Sequence, residues 1–209
     1  MGRSANSFKR KEPRYKPQPR ILVICEDEKS GKQYLEDATY HFRVKVDVEV
    51  THCGNTDPRG IVAEAIRRQR DFDQVFCTID RDTHETFDEA VRMAHKHPKI
   101  DLIVSYPCFE FWLLLHFGHS RKPYVAIGGV SAGDRLLTDL RAHPGMETYA
   151  KGASKNLFNS LLGEKFQTAR HVAPKVQRDA EADKENNPST QIYKLIEFFE
   201  KLSTPQAKY

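Results

Sequence analysis

The sequence predicts an α/β fold, in which a mainly parallel sheet is flanked by helices and followed by a C-terminal helical extension. Strand-like and helix-like periodicity alternate between residues 21 and 106, which requires crossover connections and therefore parallel strands. One strand consists of a continuous apolar run, as in sheets that helices cover on both faces. Beyond residue 131 the periodicity is mostly helical.

Four strands are predicted. Residues 21–25 and 75–79 are apolar runs, and we predict that they are adjacent, parallel and central in the sheet. Residues 44–50 (VKVDVEV) carry valine at every second position, as a half-buried strand does. Residues 100–106 form the fourth strand.

Helices are predicted wherever apolar residues recur every three or four positions. The predicted ranges are 30–42, 59–70, 85–96, 108–117, 132–142, 151–168 and 190–202. Pro107 suits a first helical turn, and Ser189 is a plausible N-cap of the last helix. Thr86 and Glu89 fit a capping box.

Composition and charge divide the chain into three parts. Residues 1–20 are rich in basic residues and proline and have few apolar residues, so they are predicted to be a disordered basic arm. This arm is either a solubilising tail or a phosphate-binding segment. Residues 21–130 are the predicted α/β core, and residues 131–209 are the helical extension packed on it.

The same composition excludes a membrane protein. The chain has 209 residues, 39% of them hydrophobic, which is enough for one sizeable core. No apolar run approaches the roughly 20 residues that cross a bilayer, and the N-terminus has no signal-peptide core. We therefore expect a soluble, cytoplasmic protein with no membrane partner.

Acidic residues follow two of the predicted strands. Glu26 follows residues 21–25, while Asp80 and Asp82 follow residues 75–79 and project the same way, with Arg81 turned aside. Ligands of open α/β sheets gather at the carboxyl ends of the strands, so neighbouring strands would bring the three carboxylates together. Repulsion makes such a cluster costly without a cation, and its oxygens suit Mg²⁺ or Mn²⁺.

A metal ion held there can position a phosphodiester, activate water and neutralise the leaving oxygen. Glu26, Asp80 and Asp82 are therefore the candidate catalytic and metal-binding residues, with Glu26 either a ligand or the general acid/base. The alternative is a solvated loop in which Asp82, Thr83 or Thr86 caps the next helix.

Several segments of the chain resemble a known family. ILVICEDEKSGKQYL, VFCTIDRD, IVSYPCFEFWLLLHF and NNPST are similar to the RloB-like group of bacterial phage-defence proteins, whose core resembles the Toprim domain. The resemblance implies a Toprim-like fold in which Glu26, Asp80 and Asp82 bind divalent metal and act on nucleic-acid phosphates. It also implies a nuclease effector of abortive infection, often encoded beside an ABC-type ATPase partner. Asp27 and Ser30-Gly31 depart from the family pattern, which usually has glycine and then Thr-Glu.

Other residues are candidates for supporting roles. Glu110 lies in an apolar helix after the fourth strand, so it is either a further metal ligand or a charge that stabilises the helix N-terminus or pairs with an arginine. His116 is predicted to be structural. The candidate nucleic-acid-binding residues are Lys29, Arg81, Lys151 and Lys155, and for the last two a solvated helix face is the alternative.

A competing motif is GVSAG at residues 129–133, which fits the G-x-S-x-G of serine hydrolases, with His143 and His171 downstream. An N-cap at Ser131 explains the same residues, and a motif of five residues has low specificity.

Two functions therefore remain for this sequence. The first is a metal-dependent nuclease that acts on DNA or RNA in anti-phage defence. The second is a non-catalytic Toprim-like module that binds nucleic acid or the ATPase partner. The sequence leaves open the substrate, the activating trigger and whether the chain forms a homo-oligomer.

Overall fold

The computed structural model describes residues 18–44, 46–81, 84–153 and 156–203, so most of the predicted basic arm lies outside the described residues. A five-stranded sheet has helices packed on both of its faces. This architecture confirms the predicted α/β fold with a mainly parallel sheet. Within the described ranges, no helix has the length and apolar character needed to span a membrane.

The sheet has the strand order β2-β1-β3-β4-β5. Its strands are β1 (Arg20–Cys25), β2 (Asp47–His52), β3 (Gln74–Asp80), β4 (Ile100–Tyr106) and β5 (Ser189–Thr190). β1 and β3 are adjacent, parallel and central, as predicted. β5 pairs antiparallel with β4, so the predicted helical extension also contributes a short strand. β2 begins at Asp47 rather than at residue 44, although Val44 and Val46 still pack against the core.

Eight α-helices lie within the described residues. They are α1 (Ser30–His41), α2 (Pro58–Arg68), α3 (Phe87–Ala94), α4 (Glu110–Leu114), α5 (Ala132–Arg141), α6 (Leu157–Ser160), α7 (Glu164–Asp183) and α8 (Ile192–Ser203). Short 3-10 turns follow α2 and α4.

The helix predicted over 151–168 is wrong. Residues 151–153 form a turn, and regular helix resumes only in α6 and α7. Gly152 and Gly163 have φ values of +73° and +80°, which end helical backbone, and glycine adopts them without a steric penalty. The polar stretch after residue 168 is helical because it carries a buried stripe of Ala169, Ala173 and Val176.

Three predicted features of helix starts are also wrong, although Thr86 does occupy the N-cap position of α3. Pro107 lies in a bend before α4 rather than in its first turn. Ser189 belongs to β5, and the Ile192 amide donates to Thr190 Oγ1 instead. Thr86 Oγ1 donates to the Asp57 carboxylate, so no capping box forms at α3. Strand pairing with Tyr106 places Ser189 in β5, and the tertiary contact with Asp57 directs the Thr86 hydroxyl away from the backbone of α3.

The two faces of the sheet have separate hydrophobic cores. In β1, Ile21, Val23 and Cys25 join a large core with α1, α4, α5, α7 and α8. Leu22 and Ile24 face a smaller core formed with α2 and α3. This alternation fixes the direction of the side chains at the carboxyl ends of β1 and β3, where the acids lie.

Candidate active site

Three acidic residues meet at the carboxyl edge of the sheet. Glu26 directly follows β1, Asp80 ends β3, and Glu110 begins α4. All three line one cavity of about 310 Å³, together with Lys151. The backbone brings the first two together, because the Glu26 amide donates to the Thr78 carbonyl at 3.1 Å, which extends the β1–β3 pairing.

Both carboxylate oxygens of Glu26 accept hydrogen bonds. Oε2 accepts from the Asp80 amide at 2.9 Å, and Oε1 accepts from His84 Nε2 at 3.1 Å. The side chain is only 13% exposed. Burial raises the pKa of Glu26, and the contacts with Asp80 and His84 oppose part of this rise. The geometry therefore holds Glu26 in one orientation beside the cavity.

Burial and neighbouring negative charges both act on the Asp80 carboxylate. Burial, and then the negative charges of Glu26 and Glu110, hold the pKa of Asp80 well above its usual range. Lys151 opposes this effect only in part. Ionisation of Asp80 beside the other two acids is therefore unfavourable, which is a condition that an added cation relieves.

Glu110 is buried, with only 1% of its surface exposed. Tyr149 donates its hydroxyl to Oε1 at 3.1 Å, and Lys151 Nζ lies 3.2 Å from Oε2. Lys151 contacts Oε2 as an ion pair, and Oε2 has no well-directed hydrogen bond among the described residues. Glu110 thus forms an ion pair, which was the predicted alternative to metal binding, but its partner is a lysine rather than an arginine.

Lys151 supplies the positive charge of the site from the turn after Tyr149. Burial alone would lower the pKa of Lys151, but the charges of Glu110 and Asp80 raise it above its ordinary value. The ammonium group therefore stays charged at neutral pH. Gly152 holds this turn against α1, since its amide donates to Ser30 Oγ at 3.0 Å.

Asp27 has a structural role that the sequence pattern did not reveal. Its Oδ1 accepts from the Lys29 amide at 2.9 Å, and its Oδ2 accepts from the amides of Ser30 and Gly31, both at 2.6 Å. These amides are donors that the first turn of a helix leaves unpaired. Asp27 also lines the cavity of the acids, so it both caps α1 and lies at the site.

Asp27→Gly is expected to lower the free energy of unfolding by about 1 kcal/mol, because α1 loses its cap. Chemical denaturation measures this change, and Asp27→Asn is the matched control because asparagine keeps a capping oxygen. If Asp27→Gly leaves the stability unchanged but alters the affinity for Mg²⁺, Asp27 acts on metal binding in this cavity instead of on the stability of α1.

The other predicted binding residues are dispersed. Lys29 lines the cavity of the acids. Arg81 lines a different cavity, where its guanidinium lies over the Phe87 and Tyr106 rings. Asp82 and Lys155 lie outside the described residues, so their assignments stay predictions.

Sequence reasoning missed two residues of the site, His84 and Tyr149. His84 follows the D-x-D motif by two positions, which is a weak signal that could have placed it near the acids. Tyr149 lies 39 positions from its partner Glu110, and no local pattern connects them.

The remaining candidates have structural roles. Ser131 caps α5 by accepting from the Asp134 amide at 3.0 Å, and His143 stacks on Phe117. His116 is buried, with Nδ1 3.0 Å from the Trp112 carbonyl and Nε2 3.3 Å from the Tyr34 hydroxyl. Burial lowers the pKa of His116 to about 4, so it is neutral, in agreement with the predicted structural role.

The described residues do not form a complete cage for a metal ion. No three histidine, cysteine, aspartate or glutamate side chains within residues 18–44, 46–81, 84–153 and 156–203 are arranged to hold one ion. Asp82, the third predicted ligand, is outside these ranges.

Comparison with known proteins identifies a family for this chain. The family model described as RloB-like protein matches residues 21–199, which is most of the chain. No curated protein and no solved structure matches significantly. The chain therefore belongs to the RloB-like protein family.

Proposed function

We propose that this protein is a metal-dependent nuclease that hydrolyses phosphodiester bonds of DNA or RNA as an effector of anti-phage defence. The observation that carries the proposal is the convergence of Glu26, Asp80 and Glu110 on one cavity beside Lys151. The Toprim-like motif and the membership of the RloB-like family support the same assignment. We propose nucleic acid and an ABC-type ATPase as partners, and the cytoplasm as the place of action.

The donor set fits Mg²⁺ or Mn²⁺. Mg²⁺ is usually held by one or two carboxylates, with waters and substrate phosphates completing its coordination. Asp80 and Glu110 would supply such carboxylates, together with Asp82, so a cage of three described residues is not required. A bound metal ion supplies Lewis-acid activation of water and of the phosphate.

The residues around the metal position have separate tasks in this proposal. Glu26 is fixed by the Asp80 amide and by His84, and its raised pKa suits it to accept a proton from the attacking water. Lys151 carries a positive charge into the cavity, where it stabilises the charge that develops on the phosphate. Lys29, at the same cavity, contributes to binding the nucleic-acid backbone.

One observation favours the second candidate, a non-catalytic module that binds nucleic acid or the ATPase partner. Lys151 already pairs with Glu110, so part of the negative charge is compensated by the protein itself. Such a site still attracts phosphates through Lys151 and Lys29 while it performs no hydrolysis.

Metal binding distinguishes the two candidates. We expect crystals soaked in Mn²⁺ to show anomalous density beside Asp80 and Glu110. We also expect the protein, assayed with its ATPase partner, to cleave DNA or RNA in Mg²⁺. This cleavage should stop when EDTA is added. The absence of both the anomalous density and the cleavage would favour the non-catalytic module.

A further inference from the structure

A second cavity lies beside the end of β3. It has a volume of about 140 Å³, and its lining includes Arg81, Phe87, Tyr106, Gln177, Ser189 and Gln191. It shares no lining residue with the cavity of the acids among the residues that the structure describes. Ser189 belongs to the NNPST segment, which the acidic site does not explain.

Arg81 lines this cavity with a guanidinium group that has no hydrogen-bond or ion-pair partner among the described residues. Its amide donates to the Ser105 carbonyl at 2.8 Å, which continues the β3–β4 pairing. Its guanidinium lies 4.8 Å from the centroid of the Phe87 ring and 5.8 Å from that of Tyr106. In the part of the chain that the structure describes, no carboxylate pairs with this guanidinium. The aromatic rings therefore hold the side chain while its N–H groups remain available.

Two glutamine amides add further polar groups. Gln191 Oε1 accepts from the Val104 amide at 3.2 Å, which leaves its NH₂ group as a donor. Gln177 is 6% exposed, and its Nε2 donates to Glu181 Oε1 at 3.0 Å. Since a carboxylate only accepts, this contact fixes the orientation of the Gln177 amide. Gln177 Oε1 is left without a hydrogen-bond partner among the described residues.

These groups favour a neutral ligand rather than a phosphate. Such a ligand would carry hydrogen-bond acceptors and a hydrogen-bond donor. Arg81 is the one charged side chain among the described lining residues, and Gln177 Oε1 would repel an anion. Guanine offers two adjacent acceptors, O6 and N7, which arginine binds in a bidentate manner more often than it binds any other base edge. Guanine also carries an N–H₂ donor for a carbonyl oxygen.

We propose that this cavity binds a guanine base of the nucleic-acid substrate, a proposal that rests on the proposed nuclease function. Asp80 and Arg81 are consecutive at the end of β3 and line the two separate cavities, so these cavities open from neighbouring positions of the same strand end. One sugar separates the base of a nucleotide from its phosphate. A nucleotide can therefore place its base against Arg81 while a neighbouring phosphate reaches Asp80, and cleavage then occurs at a fixed distance from guanine.

The first test is to sequence the ends of products from random single-stranded DNA and RNA pools. We expect guanine to be enriched at one fixed position relative to the cut. Arg81→Lys keeps the charge but loses the rigid planar fork of donors and its stacking on the aromatic rings, so it is expected to reduce this enrichment by about tenfold. Arg92→Lys, on the exposed surface of α3, is the matched control and should retain it. Cleavage without any guanine preference would overturn the inference and leave the nuclease proposal intact.

The second test measures binding without cleavage. Calorimetry of the full chain with guanosine, adenosine, cytidine and uridine probes the base alone, since nucleosides carry no phosphate for the acidic site. We expect guanosine to bind at least about tenfold tighter than the others, and Arg81→Lys to remove this difference. Equal affinities, or displacement of guanosine by inorganic phosphate, would overturn the inference. Guanosine selectivity in a protein that cleaves nothing would overturn only the nuclease proposal.

Discussion

Asp80→Asn is expected to abolish metal-dependent cleavage of nucleic acid and to raise the melting temperature of the metal-free protein. The activity is lost because asparagine is a neutral and therefore weaker metal ligand. The stability rises because burial and the charges of Glu26 and Glu110 make an ionised Asp80 unfavourable in the folded state.

The pH dependence of this gain has a definite sign. The pKa of Asp80 is higher in the folded state than in the unfolded chain, where it is about 3.9. The wild-type protein therefore has the full stability of a protonated Asp80 below that value and loses it as the pH rises through the folded pKa. We expect Asp80→Asn to stabilise the metal-free protein at neutral pH and to have little effect below about pH 4. Melting curves in EDTA at both pH values measure this difference.

Glu26→Gln is the companion variant. It is also expected to abolish cleavage, because the amide cannot accept a proton from water. It should not raise the melting temperature as Asp80→Asn does, since a glutamine oxygen cannot replace both carboxylate acceptors that bind the Asp80 amide and His84. If both variants cleave nucleic acid like the wild type, the carboxylates are not the active centre.

Lys151→Met is expected to reduce cleavage by about a hundredfold, in the range seen when one electrostatic donor is removed from an active site. It should also lower the stability of the metal-free protein, because buried Glu110 loses its ion-pair partner. Breaking a fully buried pair costs several kcal/mol, but Lys151 is 49% exposed, so we expect roughly 1–2 kcal/mol after solvent screening.

Stability measurements in Mg²⁺ test whether Lys151 and the metal ion compensate the same negative charge. We expect saturating Mg²⁺ to narrow the stability difference between Lys151→Met and the wild type, as measured by chemical denaturation. Lys175→Met, on the exposed surface of α7, is the matched control and should change neither cleavage nor stability. A stability difference that widens in Mg²⁺ would show that Lys151 helps to bind the metal rather than to replace it.

Local periodicity was sufficient to predict most of the core. The apolar runs at residues 21–25 and 75–79 and the intervening helices identify parallel strands, because each pattern reports which faces of one element are buried. The order of β1 and β3 then places Glu26 near Asp80. The prediction of one helix over 151–168 is wrong because apolar residues such as Leu157 and Leu161 keep helical spacing there, whereas Gly152 and Gly163 adopt backbone angles that end helices.

Residues close together in the chain are enough to predict the α/β class and the central parallel strands. They also predict the position of Glu26 and Asp80 at the ends of those strands. Long-range packing instead brings Tyr149 and Lys151 to Glu110. It also brings His84 to Glu26 and places Arg81 in a separate cavity. These contacts join segments that are distant in sequence, and a polar side chain carries no periodic signal that identifies its partner. They arise only when packing of the two hydrophobic cores brings the segments together and burial makes an unpaired charge costly.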